Sequence, residues 1–304
     1  MIVTVIKGIF LVYGGTEAVG LVHGMIKHRE KGVTPFQYAI YYLVGFIANF
    51  FDVLGIGSLA PTLATYKLTK TVDDDLIPGT LVIGCAIPVI LEALLFLTKV
   101  EVEILTLVGM YGCGIIGALI GGKVATKLPV KALRITMGVG LLSAGALMMM
   151  SKFGLMPLGG NAIGLHGIKL VIACIGSFIL AALLTVGIGN YAPTMVMVYM
   201  LGMNPAVAFP IMMGLGALGV CNGSFPYFAS NRYHHHAAFA FTAAGVVGVF
   251  DCGISGNLAA VIRAAMAGDR SGSVLFGYDG NPGQQEQGCG LIMEVPKPAC
   301  VRSQ

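Results

Sequence analysis

The chain is a succession of long apolar runs separated by short polar connections. The runs lie at about residues 3–26, 36–66, 76–98, 104–124, 130–150, 167–200, 204–220 and 237–254. Most of them reach or approach the ~20 residues that a helix needs to cross a bilayer. The pattern therefore predicts an all-α integral membrane protein, a polytopic helical bundle in which residues 1–35 form a first membrane helix and a basic loop.

Two of the runs, 36–66 and 167–200, are too long for one crossing at about 1.5 Å per residue. Each contains a version of the same octapeptide, Gly-Ile-Gly-Ser-Leu-Ala-Pro-Thr at 55–62 and Gly-Ile-Gly-Asn-Tyr-Ala-Pro-Thr at 187–194. Glycine weakens a helix, and proline removes a donor and clashes with the preceding turn. We therefore expect two half-helices joined by an unwound turn in each run, and unwound backbone survives at membrane depth only around a protein-enclosed site.

The duplication extends beyond the octapeptide. Pro61 and Pro78 are separated by the same interval as Pro193 and Pro210, so the broken helix and the start of the next helix recur together. This spacing indicates two repeats. Their residues are 36–150 for repeat 1 and 167–254 for an incomplete repeat 2.

The basic residues favour a re-entrant hairpin over a kinked crossing for each broken helix. If each long run enters and leaves on one side, the lysines and arginines at 27–31, 67–70 and 123–134 share one compartment, as the positive-inside tendency requires. A hairpin followed by three crossings is an odd number, so the two repeats are inverted in the membrane. This architecture is typical of secondary transporters, whose site lies at the midplane between the repeats.

The turns have the chemistry of an anion site. A half-helix that begins in a Gly-x-Gly turn offers free N–H groups at the positive end of its dipole. Side-chain hydroxyl and amide groups lie at or near both turns, and glycine lets the backbone approach an oxygen closely. An alternative is that Gly and Pro only kink helices for packing. The predicted substrate-binding residues are Gly55, Gly57, Ser58, Pro61, Thr62, Gly187, Gly189, Asn190, Pro193 and Thr194.

Two acidic residues lie inside apolar runs. Asp52 precedes the first Gly-x-Gly, and Glu92 lies in the third run. Ionisable residues within a membrane segment are functional by default, which makes both candidates for binding a coupling proton or cation. An equally weighted alternative is that Asp52 caps the half-helix and Glu92 pairs within the bundle.

Composition supports the membrane assignment and excludes nucleic acid as a partner. Hydrophobic residues make up 56% of the chain and charged residues 11%, against about 25% charged in a soluble domain. The mean hydropathy is +0.86. A net charge of +4 is too small to indicate nucleic-acid binding, and in a membrane chain it mostly reflects loop orientation. The expected partners are the lipid bilayer and a small solute.

Other motifs do not point to catalysis. Residues 112–117 and 214–219 match GxGxxG, but neither lies in a strand-turn-helix unit with a downstream acid, so close helix packing is the better interpretation. The consecutive residues His234, His235 and His236 point in different directions and are expected in a solvated loop. HExxH, Walker A and nucleophile–base arrangements are not evident. We expect no enzyme activity, no cofactor and no metal site.

The paired Gly-Ile-Gly-x-x-Ala-Pro-Thr segments, with Met-Leu-Gly-Met-Asn-Pro at 200–205 and Phe-Pro-Ile-Met-Met-Gly at 209–214, resemble the TauE/SafE sulfite exporter family over about residues 30–250. The resemblance implies a permease of the plasma membrane, multi-pass, that exports a small inorganic or organic sulfur anion such as sulfite or a sulfonate. It leaves the anion, the coupling ion and a homo-oligomeric state open. A passive anion channel and a transport-incompetent truncated member are the alternatives.

After Phe250 the apolar pattern ends, and residues 255–304 form a polar tail. Reading the corresponding codons one base later permits an apolar segment that continues the pattern of repeat 1. We therefore hypothesise that the sequence from about residue 251 is translated out of frame. A genuine soluble extension is the alternative.

Overall fold

The computed structural model describes residues 2–27, 33–129 and 160–254, with scattered residues between 131 and 146. Its continuous stretches form helices and confirm the all-α prediction. The predicted run 130–150 is mostly, and the tail 255–304 wholly, outside the described residues. The helices are α1 Ile2–Lys27, α2 Pro35–Val53, α3 Leu59–Thr69, α4 Ile77–Leu97, α5 Ile104–Ala125, α6 Ile168–Leu184, α7 Tyr191–Met200, α8 Pro205–Ser230 and α9 His235–Ile254.

Five of these helices, α1, α4, α5, α8 and α9, are long and apolar enough to cross a membrane. Helix α6 is apolar but shorter, at 17 residues. With about 1.5 Å of rise per residue, a helix of about 20 residues spans the ~30 Å hydrocarbon core. The protein is therefore a membrane protein.

The first long run is a helical hairpin. Helix α2 begins with a capping box at Thr34, and it ends two residues before the first glycine of the turn. Tyr41, near the start of α2, packs its ring 5.9 Å from that of Tyr66, near the end of α3. The Tyr41 hydroxyl also donates to the Thr71 carbonyl at 2.7 Å. A continuous helix would place the two tyrosines about 37 Å apart, so the chain folds back on itself.

The second long run forms a hairpin in the same way. Lys169, at the start of α6, donates from Nζ to the carbonyl of Leu201, just past the end of α7, at 3.1 Å. Midway along, Gly176 of α6 lies directly against the Met197 side chain of α7. The predicted break is thus confirmed in both runs, and in both the two half-helices run antiparallel.

Helix α8 lies at the centre of the bundle, because every residue from Ala206 to Ser224 is buried. A helix that is apolar on every side has no face to present to water and is stable only when it is surrounded. Around it, α4 and α5 pack on α8, α2 packs on α9, and α6 packs on α5. Each hairpin is therefore held between neighbouring long helices.

Two glycines let helices approach closely. A side chain at Gly117 of α5 would clash with the Phe178 carbonyl of α6, and a side chain at Gly248 of α9 would clash with the Phe46 carbonyl of α2. Small residues at such points allow backbones to touch in a membrane, where helix association depends on packing. The GxGxxG at 112–117 therefore supplies a packing residue, as predicted.

The three histidines do not form a solvated loop, and that prediction was wrong. Helix α9 begins at His235, which is buried and lies 3.0 Å from the Asn231 side chain through Nε2. His236 shares a 2.5 Å hydrogen bond with the Tyr38 hydroxyl. The prediction failed because α9 packs against α2. This packing covers the start of α9, which the three polar histidines alone would have placed in water.

Candidate functional site

The first tip, residues 54–58 between α2 and α3, is built on left-handed backbone. Gly55 and Gly57 have φ of +87° and +91°, a region that glycine adopts without the strain of a side chain. The Gly55 N–H donates to the Asp52 carbonyl at 2.8 Å, and the Ile56 N–H donates to the Phe51 carbonyl at 3.4 Å. These bonds end α2 and turn the chain into α3.

The second tip, residues 185–190 between α6 and α7, repeats the first half of that turn, although Gly189 does not share the left-handed φ of Gly57. Gly187 has φ of +91°. Its N–H donates to the Leu184 carbonyl at 2.9 Å, and the Ile188 N–H donates to the Leu183 carbonyl at 3.3 Å. The octapeptide is therefore repeated because the same turn is made twice.

Both tips face one cavity, which α4 and α8 close from the sides. A side chain added at Gly57 or Gly189 would meet no atom within 4 Å, so both glycines border open space. The cavity volume is about 20 Å³, and roughly 10–15 Å³ holds one water, so this conformation is closed to a larger ligand. The lining residues are Asp52, Gly57, Ser58, Leu59, Cys85, Val89, Leu184, Gly189, Asn190, Tyr191, Gly216 and Val220.

Asp52 caps the first tip. Its carboxylate accepts the Ser58 N–H at 2.9 Å and the Ser58 hydroxyl at 2.5 Å, and the residue is only 1% exposed. The Ser58 oxygen also lies 3.6 Å from the Cys85 sulfur. A carboxylate here satisfies an N–H group at the start of α3 and complements the helix dipole, so the capping role proposed for Asp52 is confirmed.

The second tip has no such cap. Leu184 stands at the position that corresponds to Asp52, and it is an apolar, buried side chain. Among the described residues, the Asn190 N–H has no hydrogen-bond acceptor. The Asn190 side chain donates from Nδ2 to the Met212 carbonyl at 3.4 Å. This end of the cavity thus offers donors, and no acidic side chain of the second tip lines it.

The cavity gathers some of the predicted site residues and leaves the others in supporting positions. Gly57, Ser58, Gly189 and Asn190 line it, and so does the coupling candidate Asp52. Gly55 packs against the Phe209 and Met212 side chains, and Gly187 lies near Leu81. These two glycines shape the turns without facing the cavity.

The prolines and threonines of the octapeptides lie in the first turns of α3 and α7, outside the cavity lining. Pro61 is exposed and Pro193 is half-buried. Thr62 donates from its hydroxyl to the Ser58 carbonyl at 2.7 Å. The Thr194 hydroxyl is buried and has no partner among the described residues.

The second coupling candidate, Glu92, lies one residue behind the cavity wall. The Tyr191 hydroxyl donates to Glu92 Oε2 at 3.1 Å, and both residues are buried. Glu92 Oε1 has no partner in the part of the chain that the structure describes. Tyr191 therefore joins this carboxyl to the cavity, which agrees with the alternative that Glu92 pairs within the bundle.

Sequence reasoning missed Cys85, Tyr191 and Gly216 as lining residues. Tyr191 had a signal, since it replaces Leu59 at the same position of the second octapeptide and a change within a repeat can mark function. Cys85 and Gly216 lie on α4 and α8, far from the motif in sequence, and only helix packing brings them to the tips. Among the described residues, no group of three His, Cys, Asp or Glu is placed to hold a metal ion.

No family model, no curated protein and no solved structure matches the chain. The TauE/SafE resemblance therefore stays a prediction from the motifs.

Proposed function

We propose that the protein is a secondary transporter, a TauE/SafE-like permease that exports a small sulfur-containing oxyanion such as sulfite or a sulfonate across the plasma membrane. The observation that carries the proposal is that the two hairpin tips, one from each octapeptide, face one buried cavity. Unwound backbone is tolerated at membrane depth where protein encloses it or where it lines a cavity, and both tips line this one.

The packing supports an origin of the fold in two repeats. Helix α9, late in repeat 2, packs on α2, early in repeat 1, and α5, late in repeat 1, packs on α6, early in repeat 2. The two glycine–carbonyl contacts follow the same pattern. Gly117 of repeat 1 meets the Phe178 carbonyl of repeat 2, and Gly248 of repeat 2 meets the Phe46 carbonyl of repeat 1. We propose that these repeats are inverted in a multi-pass arrangement and that each hairpin is re-entrant.

The donors at the second tip suit an oxyanion. The N–H groups at the start of α7 have no acceptor within the helix, and the helix dipole makes that end positive. The cavity lies among apolar side chains of α4 and α8, where few waters compete for these donors. An anion with several oxygens can accept from the Asn190 N–H and from its neighbours in the same turn.

The closed cavity fits one step of an alternating cycle. With room for a single water, it must widen before an oxyanion of several heavy atoms can enter. We propose that the hairpins move relative to α4 and α8 and expose the tips to one side of the membrane at a time. Gly57 and Gly189, which border the space, leave room for that approach.

The test is flux of ³⁵S-labelled sulfite, thiosulfate and taurine in proteoliposomes that contain the full chain. We expect wild-type flux of at least one anion to saturate and to show counterflow. Gly189→Leu should abolish this flux, because the new side chain fills the cavity. Gly57→Leu should abolish it through the same filling and through the strain of a side chain at φ +91°. Gly112→Leu is the matched control, since Gly112 lies on the exposed face of α5 with open space around it.

Three outcomes would contradict the proposal. Flux that survives both cavity variants would mean that the tips are not the site. Flux that does not saturate and follows voltage would identify a passive anion channel. Absence of flux for all three anions, with the protein intact in the membrane, would exclude small sulfur-containing oxyanions as the substrates.

A further inference from the structure

Asp52 holds the first tip in a state that excludes an anion. Its carboxylate accepts both hydrogen bonds that Ser58 can donate toward the cavity, from N–H and from Oγ. An anion that approached this tip would meet a negative oxygen in place of a free donor. The anion site therefore lies at the second tip, where Leu184 leaves the Asn190 N–H free of a side-chain acceptor.

The carboxylate and the anion would share one small, buried cavity. Asp52 and Asn190 both line it, and like charges that are close together and poorly solvated repel strongly. A protonated Asp52 removes that repulsion, and its O–H can donate to an oxygen of the anion. Burial disfavours the charge on Asp52, and in the empty site the two hydrogen bonds from Ser58 act against that cost by stabilising the charged form.

We propose that Asp52 takes up one proton when an anion binds at the second tip and releases it when the anion leaves, so that each anion moves with one proton. The proton comes from water on the side where the cavity opens, and it returns to water with the anion on the other side. This coupling rests on the proposed transport function. The two tips then have different tasks, since Asp52 at the first tip carries the proton and the second tip, which Leu184 precedes, binds the anion.

Other titratable groups surround the carboxyl. Helix α4 contributes the Cys85 thiol and the Glu92 carboxyl, and α7 contributes the Tyr191 hydroxyl, which donates to Glu92. From α8, the lining residues are Gly216 and Val220, which do not titrate. Glu92 is therefore the competing proton carrier, and a variant of it is the control that the proposal needs.

The experiment measures equilibrium binding to the purified full chain in detergent from weakly acidic to weakly alkaline pH. The probes are ³⁵S-thiosulfate and ¹⁴C-methanesulfonate, anions of strong acids whose charge stays constant over that range. For the wild type, we expect the Kd of at least one probe to rise by about tenfold per pH unit once the carboxyl is ionised. Asp52→Asn keeps a neutral group at all pH values and should bind with the tight, acidic-limit Kd throughout.

Two controls keep the result interpretable. Glu92→Gln should retain the wild-type pH dependence, because it leaves the cavity carboxyl in place. Proton uptake by the unmodified protein, followed with a pH dye in weak buffer, should approach one proton per bound anion at alkaline pH. This second measurement needs no variant and so does not depend on how well Asp52→Asn folds.

The outcomes separate this proposal from the function it rests on. Wild-type binding that is independent of pH, or pH dependence that Glu92→Gln removes and Asp52→Asn keeps, overturns the role of Asp52 while leaving anion binding intact. Absence of binding for both probes at every pH overturns the anion site itself. Anion binding without proton uptake at alkaline pH also overturns the coupling.

Discussion

The two hairpin tips begin with the same turn and differ in chemistry. Both turn on a left-handed glycine with the same hydrogen bonds, at Gly55 and at Gly187. The first is capped by the Asp52 carboxylate, whereas Leu184 leaves the second uncapped. The repeated octapeptide thus preserves a turn, and the residues that differ between its copies and just before them determine what each turn can bind.

The largest effect is expected from giving the second tip the chemistry of the first. In Leu184→Asp, the new carboxylate would take the Asn190 N–H and repel an anion, at a cost of several kcal/mol. At about 1.4 kcal/mol per tenfold, anion flux should fall by roughly 100-fold or more in proteoliposomes. Leu184→Met, which keeps volume and neutrality, should retain flux. Normal flux in Leu184→Asp would show that the second tip does not hold the anion.

The reverse exchange should destabilise the first tip. Asp52→Leu leaves the Ser58 N–H and hydroxyl buried without their acceptor, which costs about 1–3 kcal/mol. Asp52→Asn keeps one amide oxygen as an acceptor and should cost about half as much. Thermal unfolding in detergent, followed by circular dichroism, would rank the three proteins. Equal stability of Asp52→Leu and the wild type would contradict the capping role.

A matched pair of alanine variants separates backbone strain from cavity filling. Gly57 has φ of +91°, while Gly189 is outside the left-handed region, and both border open space. Gly57→Ala should therefore lose about 1–2 kcal/mol of stability, and Gly189→Ala should change stability by less than about 0.5 kcal/mol. Anion affinity should fall in Gly189→Ala through lost space. The same thermal unfolding assay measures the stability of both variants. An equal loss of stability in the two would contradict the difference in backbone conformation between Gly57 and Gly189.

The smallest contrast concerns the two threonines. Thr62 donates to the Ser58 carbonyl, so Thr62→Val should cost about 1 kcal/mol. The Thr194 hydroxyl has no partner among the described residues, so Thr194→Val should be nearly neutral in thermal unfolding. A marked loss of stability in Thr194→Val would reveal a hydrogen bond that the structure does not contain.

The glycine and proline spacing was enough to predict where each long run breaks, because the requirement for left-handed backbone is local. The sequence left the role of Asp52 open between capping and binding a coupling ion, because its hydrogen bonds with Ser58 depend on how the turn folds back on α2. The positions of Cys85 and Gly216 depend on α4 and α8 meeting the tips, and sequence periodicity carries no such long-range information. The burial of His235 was missed for the same reason.

The most direct measurement of anion binding at the tips is NMR of the protein in nanodiscs, which follows one backbone N–H group at the start of α3 and one at the start of α7. Labelling asparagine with ¹³C at the carbonyl and tyrosine with ¹⁵N selects the N–H of Tyr191, because the Asn-Tyr pair occurs once in the chain. Labelling serine with ¹³C at the carbonyl and leucine with ¹⁵N selects Leu59 in the same way, because the Ser-Leu pair also occurs once. On titration with thiosulfate, we expect a saturable shift of Tyr191 that exceeds the shift of Leu59. Resonances that stay unchanged, or a shift confined to Leu59, would contradict anion binding at the second tip.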